Sequence, residues 1–284
     1  MKIKILTLSL LVFSIIACKN SSKTEDTATA NDSAAAKFED TLSAGQKQLL
    51  HFKFLTAVAN LPSPFEMINV VYNQELPFNE SLINPVSNIE KYKSGMQQAY
   101  NYGTYGVDLS YISFYGGKRN LLNYYNAVKE LSVDLSIDKV FDEYAGKFAD
   151  YQDNKDSLVV LLDRAFGETD SYLRKYKKHL QASEVLAGAI IETHYLSVML
   201  MKDQDRNASN NEVYTRIYNH KLYFYHLINL FKELKADKDA GKIYDALVEY
   251  DNFFKETVSE DANLNKESLN KLTSKITELR AKFI

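Results

Sequence analysis

The chain has 284 residues, with 34 basic and 37 acidic side chains and a formal charge of −3. That balance excludes nucleic acid as an expected partner, because phosphate binding needs a basic face. A single cysteine excludes a disulfide framework and leaves no thiolate set for zinc.

At the N-terminus, Lys2 and Lys4 precede an apolar run from Ile5 to Ala17 that is interrupted by Thr7, Ser9 and Ser14. A basic start followed by a short apolar stretch is the pattern of a secretory signal, here residues 1–17. The run of about thirteen residues falls short of the roughly 20 that cross hydrocarbon as a helix. It ends in Ile15-Ile16-Ala17-Cys18, which resembles the lipobox of bacterial lipoproteins. The resemblance implies cleavage after Ala17, a diacylglyceryl group on the Cys18 thiol and a further acyl chain, such as palmitate, on the new amino terminus. The lipid membrane is then a partner through acylated Cys18, and the address is the cell envelope. The outer membrane is favoured, since Lys19 is not the Asp associated with inner-membrane retention. Each buried CH₂ contributes about 0.8 kcal/mol, so two or three chains make attachment effectively permanent. Loss of Lys2 and Lys4 leaves 32 basic against 37 acidic residues, a charge of −5. Anionic headgroups would gain nothing from such a surface, and the lipid must do the anchoring.

Residues 18–43 are rich in Ser, Thr, Ala, Asn and Asp and carry one aromatic residue, Phe38. Such a segment buries too little apolar surface to offset its ordering entropy and reads as a disordered tether. About 25 residues give a reach on the order of 25–30 Å. Thr27, Ser33 and Thr41 each follow an Asp and precede a small or apolar residue, which resembles the O-glycosylation acceptor of Bacteroidota. The resemblance implies sugar on the tether, although low-complexity linkers carry such pairs without it. A fourth triplet, Asp156-Ser157-Leu158, lies within the folded part and reads as a helix start.

Residues 44–284 form the domain. Ten Gly and four Pro in the whole chain leave long stretches free of breakers, which predicts an all-α, irregular multi-helix bundle in a single domain. In chain order, helices are predicted over 46–59, 64–75, 87–101, 104–115, 119–134, 138–150 and 156–166. Val185 to Met201 is apolar on nearly every face, the mark of a buried helix. Its Glu192 and His194 make it a poor membrane span. From about Asn210 to Leu234, the residues Val213, Ile217, His220, Phe224, Leu227, Phe231 and Leu234 alternate in steps of four and three. Tyr214, Tyr218, Leu222 and Tyr225 add a second apolar flank. A helix over 242–256 follows, then a seam of Leu269, Leu272, Ile276, Leu279 and Phe283. No consistent helix-pair repeat emerges.

The segment Tyr102-Gly103-Thr104-Tyr105-Gly106-Val107-Asp108-Leu109-Ser110-Tyr111 resembles one in a helical lipoprotein family of Bacteroidota that has no assigned activity. Leu61-Pro62-Ser63-Pro64, Asn154 to Leu158 and Ala187 to Glu192 add to the likeness. The resemblance implies a shared fold and nothing about chemistry.

Two carboxyls stand out as candidates. Asp108 shares a helix face with Tyr105, Tyr111, Ile112 and Tyr115. Glu192 sits in the most apolar helix, on a face with Gly188, Ala189, Tyr195 and Leu196. Burial of either requires a partner, a proton or a cavity. Convergence across a cleft would make the pair a candidate for glycan hydrolysis. His194 and His220 fall at buried-looking positions, whereas His51 and His179 read as more exposed. No HExxH and no His pair at i,i+4 is present, so neither a metal nor a cofactor is expected. Asp108, Glu192, Tyr105, Tyr111, His194 and His220 form a candidate buried polar cluster. Gly103 and Gly106 are expected to permit close helix packing. With twenty Tyr, fifteen Phe and no Trp, the positions to examine for an exposed aromatic surface are Tyr100, Tyr102, Tyr124 and Tyr125. The sequence thus favours a non-enzymatic binding or scaffolding module for an envelope protein or small ligand. A carboxylate-dependent hydrolase using Asp108 and Glu192 is the alternative.

Overall fold

The structure, a computed structural model, describes residues 37–60, 63–115 and 118–284. Cys18, Thr27 and Ser33 lie outside the described residues. Among the described residues the chain is all-helical, without strands. Among the described residues, ten α-helices of nine residues or more pack in one bundle: α1 Ala44–Ala59, α2 Pro64–Tyr72, α3 Gly95–Tyr115, α4 Lys118–Asp134, α5 Asp138–Tyr151, α6 Lys155–Lys175, α7 His179–Met201, α8 Asn211–Leu234, α9 Lys238–Thr257 and α10 Lys266–Ala281. Short 3₁₀ turns at Glu80–Leu82 and Val86–Lys91 occupy the connection between α2 and α3.

Local chemistry sets several of these starts. Ser43 and Gln46 form a reciprocal capping box at α1, and Asn265 and Ser268 form one at α10. Asn154 accepts from the Ser157 N–H, which makes Asp156 and Ser157 the first turn of α6. The C-terminal seam is buried at Leu269, Leu272, Ile276 and Leu279, and the whole α8 stripe from Val213 to Leu234 is buried as well. The second flank of α8 divides: Tyr214 is buried, whereas Leu222 and Tyr225 are exposed.

The main departure from the predicted elements lies at Gly103. Instead of two helices flanking residues 102–103, α3 runs unbroken from Gly95 to Tyr115. Its partner is α7, with which it makes the most extensive interhelical contact of the bundle. A Cβ at Gly103 would lie 2.0 Å from the Val185 carbonyl oxygen, and one at Gly188 would lie 1.9 Å from the Tyr100 carbonyl oxygen. The two backbones therefore touch, and contact across the crossing outweighs the roughly 1 kcal/mol that glycine costs a helix. Gly106 takes no part in this approach, because its nearest neighbour is the Phe166 ring at 3.6 Å. By length and composition α7 is apolar enough to cross a membrane, yet 83 % of its apolar window is buried inside the bundle. It is the central core helix.

The packed chain extends upstream of α1. Residues 37–41 form a helical turn, with Phe38 and Leu42 packed partly buried against the core. Glu39 accepts from the Leu180 N–H at 2.7 Å, so a side chain from the N-terminal segment caps α7. Thr41 is exposed on this turn, its hydroxyl donating to the Phe38 carbonyl at 2.7 Å.

Substitution of Gly103 or Gly188 by Ala is expected to lower stability by about 3 kcal/mol, the upper end of overpacking costs. Gly146→Ala and Gly167→Ala, where a Cβ meets nothing within 4 Å, should be neutral or stabilising by about 0.5–1 kcal/mol. Urea midpoints of the four variants test this; equal midpoints would contradict the crossing.

Candidate functional site

The α3–α7 crossing brings the two candidate carboxyls together. Asp108 lies five residues beyond Gly103 and Glu192 four beyond Gly188, so the glycine contact sets their approach. The pair is sealed, with Asp108 0 % and Glu192 1 % exposed. Arg280, in the last turn of α10, grips Glu192 with two hydrogen bonds, Nε to Oε2 at 2.5 Å and Nη2 to Oε1 at 2.8 Å. Its guanidinium also sits over the Tyr195 ring at 4.3 Å. Burial works against the charge on Arg280, and the Glu192 carboxylate more than offsets it, so its pKa is raised.

Asp108 accepts the Asn84 N–H on Oδ2 at 3.0 Å, while Oδ1 has no hydrogen-bond partner among the described residues. The charge of the nearby Glu192 acts on this carboxyl. A like charge beside a carboxyl disfavours its ionised form. Burial first, and then the charge of Glu192, push the Asp108 pKa well above the carboxylate range, against a smaller opposing pull from Arg280. The protonated form of Asp108 is therefore the favoured one.

Asn84 completes this layer. Its Nδ2 donates to Tyr92 Oη at 2.9 Å and to Asn101 Oδ1 at 3.3 Å, its Oδ1 accepts from Asn88, and its carbonyl accepts the Tyr124 hydroxyl. Tyr105 donates to the Pro85 carbonyl at 2.8 Å. Tyr111 serves the same connection further along, accepting the Asn79 N–H at 3.0 Å and stacking on Phe78. These tyrosines pin the segment between α2 and α3. Tyr100, Tyr102, Tyr124 and Tyr125 are all buried, so none of them builds an exposed aromatic surface.

The histidines form a separate cluster. His194 Nδ1 and His220 Nδ1 are 2.7 Å apart, and His194 Nε2 lies 2.6 Å from Tyr250 Oη. Burial lowers His194 well below the usual imidazole range and His220 to about 3. Both rings are neutral near pH 7. A neutral His194 has one N–H, so it donates to one neighbour and accepts from the other. His220 Nε2 has no hydrogen-bond partner among the described residues. The six candidate residues thus divide between a carboxyl layer and an imidazole chain. Contrary to the exposed reading, His179 is buried, its Nε2 3.1 Å from His51 Nδ1 and its Nδ1 3.5 Å from Glu39.

Sequence reasoning missed Arg280, Asn84, Tyr250 and Glu184. Arg280 carried the one usable signal, a cation beside Leu279 in an apolar seam. Glu184 lies buried in the second turn of α7, its pKa raised well above normal by burial first and then by Asp237, Asp239 and Glu39. Among the described residues no group of three or more His, Cys, Asp or Glu is arranged to hold a metal ion. Apart from these sealed layers, a groove of about 230 Å³ lies between α6 and α7. Comparison with protein-family models, curated proteins and solved structures gives no match to this chain.

The two layers give opposite pH dependences. Asp108 has a raised folded pKa, so its contribution favours folding below about pH 4 and is lost as pH rises through the folded value. The histidines have lowered folded pKa values, so theirs is present above about pH 6.5 and lost as pH falls. Asp108→Asn removes the titrating carboxyl and is expected to flatten the decline in urea midpoint as pH rises above about 4. Arg280→Met, which strands a buried carboxylate, should cost about 3–5 kcal/mol. An unchanged pH slope in Asp108→Asn would place the proton elsewhere.

Proposed function

We propose that the chain is a lipid-anchored, non-enzymatic binding module of the cell envelope, held at the outer membrane through acylated Cys18. The anchor rests on the basic start, the short apolar run and the Ile-Ile-Ala-Cys sequence. The single observation that carries the non-enzymatic part is the closure of the carboxyl layer. Both oxygens of Glu192 are taken by Arg280, and neither carboxyl reaches solvent. A substrate bond cannot be placed between them. Glycosidase carboxyls stand roughly 5–10 Å apart across a site that admits the sugar, whereas these two are sealed from solvent.

The hydrolase alternative draws on the same convergence, since a protonated acid beside a carboxylate is the acid–base pairing that hydrolysis uses. It requires an opening that the packing of Tyr100, Tyr105 and Arg280 does not leave. The open groove is the better location for binding, and its walls are the most central helix of the fold and α6.

Detergent phase partition of the expressed protein tests the anchor. The native chain is expected in the detergent phase and a Cys18→Ser variant in the aqueous phase. Intact mass of the native protein should show the acyl chains, and hexose-scale increments if Thr27, Ser33 or Thr41 carries sugar. Detergent partition by the Cys18→Ser variant would overturn the lipoprotein reading.

A further inference from the structure

The groove between α6 and α7 has a definite chemical character. Its volume, about 230 Å³, exceeds the roughly 150 Å³ at which an apolar cavity accepts benzene. Val58, Phe166, Leu173, Val185, Leu186 and Ile190 make its walls hydrocarbon. Gly167 lies at the lining, and a Cβ there would meet nothing within 4 Å, so the space continues to the helix backbone.

Its charged lining groups are acidic. Asp163 and Asp170 project from α6 seven residues apart, about 10 Å along the axis on one face. Asp170 is already paired with Arg174 at 2.8 Å. Asp163 Oδ1 accepts the Ser63 hydroxyl, and no cation pairs with this carboxylate among the described residues. Thr169 is occupied, its hydroxyl donating to the Ala165 carbonyl and meeting Tyr102 Oη at 3.0 Å. The groove therefore offers an apolar slot with an exposed carboxylate, that of Asp163, at its edge.

We propose that this groove binds a small apolar amine, its hydrocarbon body against Val185, Leu186 and Ile190 and its ammonium group on Asp163. Both halves of the ligand are needed. The hydrocarbon gains about 25 cal/mol for each Å² removed from water, and the cation forms a charge-assisted pair with the exposed Asp163 carboxylate. An anionic or purely polar ligand fits neither wall nor edge. The proposal rests on the binding-module reading and names its ligand class, without using the membrane anchor.

The test is calorimetric titration of the mature protein in phosphatidylcholine nanodiscs, with empty nanodiscs as the blank. The probes are hexylamine and, as its uncharged counterpart, 1-hexanol. Saturable one-to-one binding of hexylamine is expected, with hexanol about tenfold weaker. Asp163→Asn should erase that preference, and Gly167→Phe, which fills the slot from a position with free space, should abolish binding of both without lowering the unfolding temperature. Equal affinities for the two probes, indifferent to Asp163→Asn, would overturn the amine assignment and leave a binding module for uncharged apolar molecules. Saturation by neither probe would overturn the proposal together with the small-ligand form of the binding-module reading.

Discussion

Two helices can meet backbone to backbone only where neither carries a side chain at the crossing. In this chain Gly103 and Gly188 supply that condition for α3 and α7. Dispersion contacts are weak singly and numerous at such short range, so the crossing holds the two most buried helices at one separation and one rotation. The carboxyl layer follows from that rotation, because Asp108 and Glu192 project from the same crossing a turn or more further along. The other helices then pack around a pair whose geometry is already set.

The buried polar groups act as cross-braces on this pair. Arg280 ties the last helix to Glu192, and Asn101 donates to the Phe283 carbonyl at 2.9 Å, so the C-terminus is fastened to α3 and α7 together. Asn84 fastens the connection between α2 and α3 to the same layer. Compared with an apolar layer of equal volume, such braces contribute little net stability, because the charges lose their hydration. Their larger effect is on alternatives: a slipped α10 would leave Glu192 buried without its cation. His194, His220 and Tyr250 brace α7 to α8 and α9 in the same manner with neutral groups.

Much of this architecture is legible from residue patterns. The α8 stripe and the C-terminal seam follow from 3.6-residue periodicity, and the Asp156-Ser157 turn follows from capping chemistry. The break expected near Gly103 is absent, since a glycine's low helix propensity is a local property and the α7 backbone it admits is a distant one. Asp108 and Glu192 are conspicuous as carboxyls in apolar helices, but their meeting depends on a crossing between Gly103 and Gly188, 85 residues apart in sequence. Arg280 and Asn84 were less visible still. A long cation at a seam edge and an Asn before Pro85 look like ordinary surface and turn residues until the partners are in place. The groove gave no sequence signal at all, because a cavity is a mismatch between neighbouring surfaces and Val58, Asp163 and Ile190 belong to three separate helices.

The α3–α7 crossing, with its sealed carboxyl layer, is therefore the element on which both the fold and the functional reading depend. A sealed layer directs attention away from chemistry at Asp108 and Glu192 and toward the surface groove that α7 also lines. Native-state hydrogen exchange of the mature protein tests this most directly. The amides of residues 100–112 and 185–197 are expected to exchange only through global unfolding, with one shared free energy and denaturant dependence, and more slowly than those of α5 and α6. Exchange of either segment by a local opening at lower free energy than the rest of the bundle would contradict the account, because the carboxyl layer would then be accessible to solvent and substrate without unfolding the protein.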